Sequence, residues 1–155
     1  MPVTSPKATH FVLPPHQERK SSPGRTLGLK EMNLPSLIRL LDSGLPWSTV
    51  PAFARVSGFS QQELAEFIGV PARTFARRRI SGTLDPGESE RLLRLAELFD
   101  AALSLFGGDH DGARQWLTSP VRGLNNARPI DYARTELGAR ELRNLIGRLE
   151  DGVFS

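Results

Sequence analysis

The 155-residue chain contains no cysteine. Disulfides and thiolate metal sites are therefore closed to it. Its three histidines, His10, His16 and His110, are scattered and form no ligand pair at helical spacing. No run of about 18 apolar residues occurs, which argues against a membrane-spanning helix. The opening MPVTSPKATH lacks the apolar stretch of a secretory signal. A cytoplasmic setting is the expectation. β-branched residues are few and never alternate over a useful length, so strand signals are nearly absent. No nucleophile–base pair, metal constellation or phosphate-cradling glycine loop after a strand can be placed. The chain is accordingly expected to be no enzyme and to carry no cofactor.

What is present is 39% hydrophobic and 24% charged residues, an ordinary globular balance. The net charge of +3 is unevenly spread. Residues 1–30 hold five Lys/Arg against Glu18, whereas the remaining 125 residues hold 15 basic and 16 acidic side chains. Total charge thus says nothing about the folded part, and only local clusters argue for DNA. Residues 1–33, rich in Pro, Ser, Thr and Lys, read as a flexible basic arm.

From residue 34 onward the periodicity is helical. LPSLIRLLDSG places Leu37, Leu40 and Leu41 on one face, with Gly44 past its end. STVPAFARVSG follows, with Ser48 as the expected cap and Val50, Phe53 and Ala54 inward. SQQELAEFIG opens on a capping box, Ser60 with Glu63, and buries Leu64, Ala65, Phe67 and Ile68. PARTFARRRISG starts at Pro71 and closes near Gly82. A helix of roughly 20 residues then begins at Asp85-Pro86, with Glu88 at its third position. Leu92, Leu95, Phe99, Ala102, Leu103 and Phe106 form its stripe, and Gly107-Gly108 stops it. A short helix should bury Ala113, Trp116 and Leu117. Another is expected to run from Pro129 to a stop at Gly138, and a last one to carry Leu142, Leu145, Ile146 and Leu149 inward. Val153 continues that stripe beyond the stop at Gly152.

Residues 60–82 have helix-turn-helix spacing. Ala65 allows a close helix crossing, Gly69 a tight turn, and Phe75 faces back into the pair. The second helix projects Arg73, Thr74, Arg77, Arg78 and Arg79, with Arg73 and Arg77 an i, i+4 pair. Such a helix fits the major groove, where arginine reads guanine or holds phosphate. Ser60, Gln61 and Gln62 would lie near the DNA backbone. The plainer reading is a solvated arginine face on a helical hairpin, some of it paired with Glu88 or Glu90. Trp116 reads as core or as a partner contact, and Trp47 as a dimer contact or a lid on the first helices.

Two stretches resemble the Xre-type antitoxins with an MbcA/ParS toxin-binding domain. The first is RTFARRRISGTLDPGESERLLRLAELFDAALSLFG. The second, ARQWLTSPVRGLNNARPIDYARTELGARELRNLIGRLEDGVFS, carries an ordered set of landmarks: Trp-Leu-x-x-Pro, a loop Leu, a helix-opening Pro, Leu-Gly, and a last helix ending Gly-Val-aromatic-Ser. The resemblance implies an all-α protein, with a helix-turn-helix domain (34–106) joined through the long helix to a small toxin-binding domain (107–155). It implies a homodimer that neutralises a RES-domain, NAD-consuming toxin, forms a hetero-oligomer with it, and represses its own operon at operator DNA. Arg140, Arg143, Asn144 and Arg148, on the exposed side of the last helix with Glu141, become candidate toxin contacts. Gly152, Val153, Phe154 and Ser155 become a short apolar plug for the toxin's cleft, its carboxylate meeting cationic groups there. A stand-alone repressor whose C-terminal domain dimerises or senses a ligand is the alternative.

Overall fold

The computed structural model describes residues 23–152. Among these, the regular structure is helical: α1 (Leu34–Ser43), α2 (Thr49–Ser57), α3 (Gln61–Phe67), α4 (Ala72–Ser81), α5 (Pro86–Leu105), α6 (His110–Leu117), α7 (Pro129–Tyr132) and α8 (Glu136–Glu150). Extended pairing among the described residues is confined to two isolated bridges, Pro46 with Thr83 and Val121 with Ala127.

The helix starts follow from their caps. Ser60 and Asp85 each accept a bond from the backbone N–H of the glutamate three residues on, and each glutamate carboxylate in turn accepts one from the cap's N–H. These capping boxes satisfy donors that a helix start leaves orphaned. Ser48 behaves differently from expectation. It sits before α2 with helical dihedrals (φ −55°, ψ −21°), and its side chain makes no capping bond. A capping side chain needs an extended backbone to reach forward. Here the Thr49 hydroxyl instead donates to the Pro46 carbonyl at 2.7 Å.

The 20-residue α5 is the spine. Leu92, Leu95, Ala96, Leu98, Phe99 and Ala102 are all at most 2% exposed. Phe99 meets Phe53 edge-on at 5.7 Å and Phe59 at 6.4 Å, and Phe59 meets Phe67 at 5.1 Å. These rings tie α2 and α3 to α5. On its other side α5 receives α6 and α8, through Ala113, Leu117, Leu142, Leu145 and Ile146. One continuous apolar cluster therefore runs through both halves. Losing a ring such as Phe99 to alanine costs about 3–5 kcal/mol in such a setting.

Further expectations are corrected. The arm expected through residue 33 is not featureless where it is described. A 3₁₀ turn, Arg25–Leu27, lies against α2 and α5, with Leu27 1% exposed and Thr26 buried. Burying a leucine offsets the entropy of ordering this short turn. Gly138 does not stop a helix; it stands at the third position of α8. Thr135 caps that helix by accepting from Gly138 N at 3.0 Å. A Cβ on Gly138 would collide with the carbonyl oxygen of Tyr132, so glycine lets the end of α7 pack onto the first turn of α8. Trp116 is half-buried rather than core, tilted against Phe106 at 6.2 Å. Leu40, Leu41 and Leu149 also pack only partly buried at the edge of the cluster. Val153, Phe154 and Ser155 lie outside the described residues.

Candidate nucleic-acid interface and a second exposed face

α3 and α4 are joined by a turn in which Gly69 takes φ +69° with nothing within 4 Å of where a Cβ would stand. Glycine is needed there for conformation alone. Ala65 is buried at the crossing, and Phe75 (8% exposed) anchors α4 inward. Trp47 closes over Phe75 edge-on at 4.7 Å. Trp47 is therefore a lid on the helix pair, fastened further by its N–H to the Gly82 carbonyl at 2.8 Å.

With Phe75 held inward, the 3.6-residue period turns Arg73 and Arg77 to solvent on one face. Arg79 is exposed on the flank, beside a groove of about 700 Å³ lined by Trp47, Gln61, Gln62, Ala72, Ala76 and Arg79 among others. Among the described residues, no carboxylate pairs with Arg73, Arg77 or Arg79; Arg77 reaches only the Thr74 hydroxyl, at 3.4 Å. Thr74 is half-buried. Gln61 and Gln62 are exposed at the start of α3, on the same groove. Ser60 is exposed too, but its hydroxyl is engaged in capping.

Arg78 departs from this set. Its guanidinium takes the Glu88 carboxylate from Nε (2.9 Å) and Nη2 (3.1 Å), and reaches Asp85 at 3.3 Å. Glu88 is 4% exposed and also serves the α5 capping box. The hydrogen bond that Arg78 donates to Glu88, with the charge of that carboxylate, pushes the Arg78 pKa further up. Arg78 thus fastens α4 to the start of α5 and is not presented outward with Arg73 and Arg77. The pairing with Glu88, one of two partners the sequence left open, is the one realised.

The second exposed face is the outer side of α8. Leu137 is 68% exposed, and Arg140, Glu141, Asn144 and Arg148 follow it at helical spacing, all exposed. Arg143 lies on the seam with α5, donating to Glu136 at 2.9 Å, while Arg94 of α5 donates to the other Glu136 oxygen at 3.1 Å. The Arg143 hydrogen bond, followed by the charge of Arg94, holds the Glu136 carboxyl below the usual carboxylate range. Glu97, on the same seam, is pushed up by desolvation. At the end of α8, Gly152 turns left-handed (φ +72°) and its N–H bonds the Leu149 carbonyl. That is a C-terminal stop for the helix.

Sequence reasoning missed Leu137, because placing a helix stop at Gly138 hid the first turn of α8. The signal was Thr135-Glu136, a cap residue followed by an acid. It also missed the Glu136 clamp, whose partner Arg94 is 42 residues away.

Comparison with known proteins adds two matches. The description "Antitoxin Xre-like helix-turn-helix domain" fits residues 36–97. The description "Antitoxin Xre/MbcA/ParS C-terminal toxin-binding domain" fits residues 101–152. A protein named Antitoxin Xre from Photorhabdus laumondii is 35% identical over 143 residues, covering 92% of this chain and 97% of the relative. Another Antitoxin Xre, from Yersinia enterocolitica, is 40% identical over 119 residues, covering 76% of this chain and 74% of the relative.

Proposed function

The chain belongs to the Xre/MbcA/ParS antitoxin family, and from that premise we propose that it silences a toxin with its C-terminal face and binds operator DNA with α3 and α4. The toxin is a RES-domain protein that consumes NAD, as the motif resemblance implies. Arg140, Asn144 and Arg148 seat the toxin along the outer face of α8, with Arg143 at its edge beside the α5 seam. Residues 152–155 then enter its active-site cleft and exclude substrate. A short segment of this kind orders few residues on binding, which keeps the entropic cost small. The chemistry belongs to the toxin, and this chain acts by occlusion.

The observation that carries this reading is the outer face of α8, exposed from Leu137 to Arg148 within the region that matches a toxin-binding domain. Supporting the DNA half are three outward arginines on α4 without an acidic partner among the described residues. They act from a homodimer, since helix-turn-helix proteins read paired half-sites about 34 Å apart. Leu34 and Ile38, one turn apart on α1 and 66% and 48% exposed, offer apolar surface to the second copy.

Co-expression with the product of the adjacent gene, followed by co-purification and a growth assay, tests the toxin half. Full-length chain should rescue growth, and chain lacking residues 152–155 should rescue it less while still binding DNA. Full rescue by the truncated chain would overturn occlusion by that segment. Sedimentation of the isolated chain as a monomer would overturn the homodimer.

A further inference from the structure

Ile80 is 88% exposed, the highest of the exposed large apolar side chains among the described residues, and it belongs to no part of the core. It is the next-to-last residue of α4, two before the left-handed Gly82. Its position on the helix is specific. Arg73, Arg77 and Ile80 are spaced i, i+4, i+7, so the three share one stripe, opposite the buried Phe75. From Arg73 to Ile80 the helix rises about 10 Å. That length spans about three base pairs at roughly 3.4 Å each.

Exposed isoleucine costs solubility and contributes nothing to packing here. On a stripe otherwise made of arginine, it faces whatever those arginines face. Base edges in the major groove include one apolar group, the C5-methyl of thymine, which apolar side chains recognise. We propose that Ile80 is a specificity-determining residue that contacts a thymine methyl about three base pairs along from the base or phosphate met by Arg73. The inference rests on the reading of α4 as a DNA-binding helix. The two arginines that precede it on the same face are what favour a polyanion over a second apolar protein surface as its occupant.

The test uses the full chain and a duplex enriched by that chain from a random-sequence pool. Each thymine is replaced singly by deoxyuridine, which lacks only the C5-methyl. For the unsubstituted protein, one replacement, or one symmetric pair, should weaken binding roughly fourfold, the factor for one methyl-sized group taken out of water. Ile80→Ala should bind the thymine duplex about fourfold more weakly per half-site and no longer distinguish it from that deoxyuridine duplex. Its thermal midpoint should stay unchanged, since the side chain packs on nothing. If no replacement affects the unsubstituted protein, or if Ile80→Ala keeps the discrimination, the thymine contact is wrong. If Arg77→Ala still weakens binding in that case, the DNA reading stands without it. Failure of the chain to bind any enriched duplex removes both. A change in self-association or toxin affinity on Ile80→Ala, with the discrimination retained, assigns the residue to a protein interface instead.

Discussion

Arg78 and Glu88 face each other across the α4–α5 junction as a two-nitrogen, two-oxygen pair, with Nε 2.9 Å from Oε2 and Nη2 3.1 Å from Oε1. The carboxylate is nearly dry and simultaneously caps α5. Removing the arginine would leave a buried charge with only its capping N–H. Arg78→Ala should therefore lower the thermal midpoint. Arg78→Lys should recover part of it, since a point charge cannot reproduce the planar fork.

The neighbouring arginines should behave oppositely. Arg73→Ala and Arg77→Ala touch no ion pair, so stability should change by no more than about 0.5 kcal/mol. DNA affinity should fall, and for a phosphate contact the salt slope should shrink by roughly one per arginine removed. Titrations at several salt concentrations, beside thermal melts, separate the two classes. Unchanged affinity would return these arginines to a solvated face.

Gly138→Ala places a methyl against the Tyr132 carbonyl oxygen. The α7–α8 junction must open to admit it, at a cost of about 1–3 kcal/mol. Thr135→Ala removes the cap of the same turn, at about 1 kcal/mol. Denaturant midpoints for both variants and the double substitution check this, and the double should be non-additive because both sites share one turn.

Glu136 gives the α5–α8 seam a pH dependence with a definite sign. Its folded-state pKa is depressed by Arg143 and Arg94. The contribution is complete above the ordinary carboxylate range and is lost as pH falls through the lowered value. Glu97 acts in reverse: its carboxyl is raised by desolvation, so its ionisation costs stability as pH rises. Glu136 is 59% exposed, so its effect should be small and screened by salt. Protection factors of the amides in the first turns of α8, measured relative to intrinsic exchange at each pH, should fall on acidification, and Glu136→Gln should abolish that change.

Leu137→Asp and Arg148→Glu alter the proposed toxin face without touching the core. Each should leave the melting curve within about 0.5 kcal/mol of the parent. Each should shorten the lifetime of the toxin complex, by tenfold or more if the residue is a hot spot. Surface-immobilised toxin and the two variants give the dissociation rates directly.

Much of this architecture was legible along the chain. Capping boxes at Ser60/Glu63 and Asp85/Glu88 and the stripe from Leu92 to Ala102 are local signals, read within one or two turns, and the fold follows them. The helix-turn-helix crossing at Ala65 and Gly69 was likewise visible, because steric demands of a tight turn fall on particular small residues. Less legible was anything set by a distant partner. Leu27 looked like part of a polar arm because its pocket between α2 and α5 exists only after those helices pack. Gly138 looked like a stop because the carbonyl that requires it belongs to the preceding helix.

The sequence by itself determined helix type, most helix boundaries and which face of each helix is apolar, since propensity, capping and periodicity act over a few residues. Tertiary structure decided which arginines are available. Four of them crowd α4, three in an unbroken run from Arg77 to Arg79. Packing then brings the start of α5 against Arg78 and leaves Arg73, Arg77 and Arg79 in solvent. An ion pair depends on where two chains of atoms meet in space, and that meeting is fixed only when the core around Phe75 and Leu92 has closed.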